Sequence, residues 1–129
     1  MSENYEPLSP IAVEAKLRGL VNMLTKTQLD LAEARDQEVD AEIAYKDAHR
    51  AAMLSPKAPQ VARGGPTVAD RDAWVDEQCA VVWAAYRRAQ TNRAKAEDLL
   101  RITRDQGVLV ASLSKSVDSA YRMAGRGES

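Results

Sequence analysis

The chain has 129 residues, room for one domain, and 29% of them are charged while phenylalanine is absent. A net charge of −1 argues against a bulk polyanion-binding surface, and the single Cys79 excludes an internal disulfide and fits a reducing cytoplasm. No apolar run reaches the ~18 residues of a membrane span, and the acidic, polar start MSENYEPLSP is unlike a signal peptide.

Residues 1–9 read as a flexible arm. Ser9-Pro10 then forms a helix start, with Ser9 as cap and Pro10 as the first helical residue. Helix 1 is expected over about 10–54. It carries two seven-residue registers: Leu17, Leu24, Leu31, Glu38, Tyr45, Ala52, and Val13, Leu20, Thr27, Ala34, Ala41, Ala48. Such spacing favours a left-handed, coiled-coil-like seam.

Residues 55–66 (SPKAPQVARGGP) break the pattern as a passive connecting loop. Thr67 caps the second helix, with Asp70 three residues on as a short-armed capping box. Helix 2 is expected over about 67–123, with 124–129 as a tail. Its seam reads Val75, Cys79, Val82, Tyr86, Ala89, Arg93, Ala96, Leu100, Thr103, Gly107, Val110, Ser114, Val117, Tyr121. Gly107 is a point where this helix could bend or break.

The fold class is therefore all-α: a long antiparallel helical hairpin. A turn centred near residue 61 sets Leu31 opposite Gln90 and Leu17 opposite the region of Arg104, and leaves 112–122 as an apolar overhang. Much of the 45% hydrophobic content is alanine, which buries little area. A two-helix core is thin, so the overhang and the broad face after Gly107 point to an oligomeric bundle.

Candidate sites are sparse. His49 reads as a surface helical residue, with no His or Cys at ligand spacing for metal. Cys79 reads as a small seam residue without an activating base. Asp70, Asp72, Asp76 and Glu77 suit the helix dipole and solvent. Glu38 and Arg93 are seam charges that set register. Six cations over 87–104, among them Arg87, Arg88, Lys95, Arg101 and Arg104, face only Glu97 and Asp98 in sequence. They either pair with helix 1 acids or form a stripe for nucleic acid. Trp74 and Trp83 fall about 180° apart on a continuous helix, so at least one should meet something outside the seam. Those two, with Leu109, Leu113, Val117 and Tyr121, are the candidate oligomer or partner contacts.

The segments AEIAYKDAHRAAML, GGPTVADRDAWVDEQC and LVASLSKSVDSAYR, with Tyr86-Arg87-Arg88-Ala89 between them, carry a resemblance. Over roughly residues 12–122 the chain resembles small all-helical proteins encoded in early regions of tailed phages and prophages of Gram-positive and actinobacterial hosts. That resemblance implies a non-enzymatic accessory role in phage DNA recombination or replication, in the cytoplasm of the bacterial host, through protein or single-stranded DNA contacts. The alternative is a structural or host-directed module that binds a host coiled-coil protein. No cofactor is implied, and no acid–base pair, nucleophile constellation or phosphate loop is visible.

Overall fold

The computed structural model describes residues 9–126. Within them the chain is all-helical, with α1 over Pro10–Met53, α2 over Val68–Gln78 and α3 over Ala80–Arg126. The expected arm, but for Ser9, lies outside the described residues, whereas the expected tail begins inside α3, which runs to Arg126, and only 127–129 lie outside them. The chain divides into two compact units. One joins the described residues up to Asp30 with those from Glu97 onward, and the other is Leu31–Ala96.

The helix starts follow from their caps. Ser9 Oγ accepts the Ala12 amide at 3.1 Å and Ser9 O accepts that of Val13. Thr67 and Asp70 form a reciprocal capping box. Thr67 Oγ1 accepts the Asp70 amide at 3.2 Å, and the Thr67 amide donates to Asp70 Oδ2 at 2.8 Å. That backbone hydrogen bond holds the Asp70 carboxyl below its usual range. Its contribution to α2 is therefore present above the unfolded carboxyl pKa and is lost as pH falls through the lowered native value. Thr67→Ala should lower stability by about 1 kcal/mol, and Asp70→Asn, which removes the titrating carboxyl, should flatten the acid limb of a pH titration of thermal unfolding. An acid limb identical to that of the parent chain would refute this assignment.

The long second helix expected from sequence is two helices. Cys79 separates α2 from α3 with φ −96° and ψ 3°. Backbone bonds continue across it, from the Cys79 amide to Val75 O at 3.0 Å and from the Trp83 amide to Cys79 O at 2.8 Å. A single residue leaves helical geometry, and neither Gly nor Pro marks the place. At Gly107, where the sequence allowed a bend or a break, α3 runs through as one continuous helix.

In the Leu31–Ala96 unit, the latter part of α1 runs antiparallel to the start of α3. Glu38 bonds Arg93, and the Tyr45 ring stacks on that of Tyr86 with centroids 6.1 Å apart. A turn centred at residue 61 would instead have set residue 38 near residue 83, an error of almost three helical turns. The cause is the connection. Ala58 is buried, the Ala58 amide donates to Ser55 O, and Gly64 turns the chain at φ +77°. The loop thus contributes to packing rather than passively joining two helices. The core of this unit is Ala52, Val75 and Cys79, with Tyr45, Ala48, Trp74 and Val82 packed against it.

In the other unit, Val13, Thr27, Leu100, Thr103 and Val117 are buried. The two buried hydroxyls are satisfied within their own helices, Thr27 Oγ1 donating to Leu24 O at 3.0 Å and Thr103 Oγ1 to Leu99 O at 2.8 Å. Val117, expected in an exposed overhang, belongs to the chain's own packing, and Leu113 is half-buried. The displaced register explains this, because α1 covers more of the end of α3 than a turn at residue 61 would allow.

Candidate interaction surfaces

The unit that joins the residues up to Asp30 with those from Glu97 onward carries two open apolar clefts where α1 and α3 meet. One, of about 510 Å³, is lined by Lys16, Gly19, Leu20, Met23, Gln106, Leu109 and Val110. The other, of about 490 Å³, runs from Leu17, Leu20, Val21 and Leu24 to Thr103, Arg104, Gly107, Val108 and Ala111. Around them Leu109 is 69% exposed, and Val108, Val21, Leu99, Ile102 and Tyr121 are also exposed. A glycine lines each cleft. A methyl group added at Gly19 or Gly107 would meet nothing within 4 Å. The chain's own packing therefore does not require glycine at either place.

In the Leu31–Ala96 unit the aromatic residues gather. Trp83 lies 5.1 Å from Tyr45 and 6.1 Å from Tyr86 between ring centroids, and the Arg87 guanidinium carbon is 6.0 Å from the Trp83 centroid. Trp74 packs on the core that also holds Tyr45. Trp74 therefore meets the Ala52–Val75–Cys79 core while Trp83 meets Tyr45 and Tyr86. Cys79 interrupts the 100° stepping between them. Trp83 nonetheless remains 46% exposed. His49 is half-buried, tilted against the Tyr45 ring at 5.9 Å, rather than on the open surface.

The charged residues divide between local and cross-helix partners. Arg93 forks onto Glu38, through Nε to Oε2 and Nη2 to Oε1, the latter at 3.4 Å. Arg87 donates to Gln90 Oε1 at 2.9 Å, and Arg101 pairs with Asp98 in its own helix at 3.2 Å. Glu42 holds the Lys46 ammonium above its usual range through a 2.8 Å contact. Arg88, Lys95 and Arg104 are exposed. Cys79 is buried. Among the described residues no group of three His, Cys, Asp or Glu side chains is placed to hold a metal ion. No helix among them is long and apolar enough to cross a membrane. Arg71 Nε is buried without a hydrogen-bond acceptor, with Asp72 Oδ1 3.7 Å away. Sequence spacing placed Leu109 and Trp83 among the contact candidates. It offered no signal for the loop residue Ala58 or for the aromatic gathering around Tyr45, which depends on the actual register.

No protein-family model matches the chain, and comparison with curated proteins and with solved structures finds no match.

Proposed function

We propose that this chain is a non-enzymatic helical assembly protein whose cleft-bearing unit, the one that contains Glu97 and the residues after it, packs on a second copy of itself. The observation that carries the reading is the pair of apolar clefts on that unit, bordered by exposed Leu109, Val108 and Val21. Charge is compatible with a second copy. In the sequence of that unit Glu14, Asp30, Glu97, Asp98, Asp105 and Asp118 nearly balance Lys16, Arg18, Lys26, Arg101, Arg104, Lys115 and Arg122, which keeps long-range repulsion between copies small. The resemblance to early-region phage proteins sets the role as an accessory to phage DNA recombination or replication. Protein contact is favoured over single-stranded DNA because Arg87, Arg93 and Arg101 of the cationic stripe already have partners within the chain. Binding to a host coiled-coil protein is the competing use of the same face.

Sedimentation equilibrium tests this. The parent chain should run as a multiple of 14.1 kDa, and Leu109→Glu should run as a monomer with unchanged helical circular dichroism. Gly107→Leu, whose Cβ meets nothing within 4 Å and whose longer side chain would fill the cleft, should likewise fold and fail to assemble. A parent chain that is monomeric throughout would overturn the proposal. Salt-sensitive binding of a single-stranded oligonucleotide at about 50 mM salt, lost in Arg87→Ala/Arg88→Ala, would move the role to DNA.

A further inference from the structure

We propose that the cleft between α2 and the Tyr45–Trp83 pair is a binding site for an organic cation: a guanidinium or alkylammonium group presented by a partner's side chain. The cleft, about 310 Å³, is lined by Tyr45, Asp76, Cys79 and Trp83. Its chemistry is that of a cation acceptor. Tyr45 and Trp83 present two rings tilted by 52°, with centroids 5.1 Å apart. An aromatic face attracts a cation through its quadrupole, most strongly in tryptophan. Trp83 already shows this property toward its own chain, since Arg87 lies over its ring. Arg87 is also held by Gln90, which fixes it on its own helix.

Asp76 supplies the formal charge. It lines the cleft and has no ion pair or hydrogen bond among the described residues. The surrounding helix reinforces it, for α2 carries Asp70, Asp72, Asp76 and Glu77 against Arg71 alone. Cations also stand near the rings, Arg87 over Trp83 and Lys46 and Arg50 along a neighbouring recess that Tyr45 lines. Buried Cys79 completes the lining. Two rings, one carboxylate and a recess between them form a different kind of site from the apolar clefts of the other unit. This site stands whether or not the chain assembles with itself.

The test uses the full chain in a Trp74→Phe background, so that Trp83 alone reports. Fluorescence is titrated at constant ionic strength with methylguanidinium and with butylammonium. The neutral twins N-methylurea and butanol are run alongside. Saturable quenching by either cation at millimolar concentration, absent with its twin, is expected. Asp76→Asn should weaken it five- to tenfold while leaving the circular dichroism spectrum unchanged. The cation that saturates first identifies the partner's group as arginine-like or lysine-like. Equal responses to a cation and its neutral twin, no saturation with either cation, or an unchanged midpoint in Asp76→Asn would each overturn the site.

Discussion

Tyr45→Ala should lower the stability of the chain by about 3 kcal/mol, the low end of the range for truncating a large aromatic residue. It is the residue on which the Leu31–Ala96 unit converges. Its ring contacts those of His49, Trp83 and Tyr86 and packs on the Ala52–Val75–Cys79 core. Partial burial keeps the effect below that of a fully enclosed ring, while three aromatic contacts add to the area term. The midpoint of thermal unfolding, compared at one protein concentration, should fall by on the order of 10 °C. Trp83 emission should shift to the red as the indole loses its neighbour. Tyr45→Phe keeps the ring and should stay within about 0.5 kcal/mol of the parent. A Tyr45→Ala chain as stable as the parent would show that this aromatic group is incidental to the fold.

Arg93→Ala should cost about 2 kcal/mol, because it strips a half-buried carboxylate of its forked partner. The Glu38 and Arg93 side chains are 19% and 31% exposed, so the loss lies between that of a surface pair and that of a fully buried one. A double-mutant cycle should give a coupling of about 1–2 kcal/mol. Replacing both residues together, Glu38→Leu with Arg93→Leu, should recover most of the stability, since two apolar side chains need no partner charge. The recovered chain should hold its alignment less tightly. In a Trp74→Phe background, the Trp83 spectrum should broaden as α3 samples positions away from Tyr45. A coupling near zero would mean that the two charges are only neighbours.

Tyr45 and the Glu38–Arg93 pair also mark where sequence reading succeeded and where it did not. Seven-residue spacing identified the inward face correctly. Val13, Thr27, Leu31, Ala34, Ala52, Val75, Cys79, Leu100, Thr103 and Val117, all assigned to the seam, are residues the structure buries. Spacing also marked Glu38 and Arg93 as the seam charges, and they are bonded to each other. The alignment was not legible. A repeating apolar pattern looks much the same after a slide of one repeat, so it fixes a face and not a position along it. Position came from assuming a symmetric turn, and the Glu38–Arg93 and Tyr45–Tyr86 pairs show the alignment displaced from it. The interruption at Cys79 has no local signature, because a cysteine between helix formers is compatible with a continuous helix. The aromatic cleft, which depends on alignment, could not be read before the alignment was known.

Thr27 and Thr103 each carry their hydrogen-bond acceptor on their own helix. A buried hydroxyl of that kind asks nothing of the neighbouring segment, so either residue can be exchanged without a matching change elsewhere. Positions 38 and 93 lack that freedom, because each charge finds its partner across the helix pair. Descendants of a common ancestor should therefore drift at positions 27 and 103 independently, toward valine, alanine or serine. At positions 38 and 93 they should change together or not at all, and that pairwise covariation would be a record of the alignment that any reader of diverged sequences could recover without a structure.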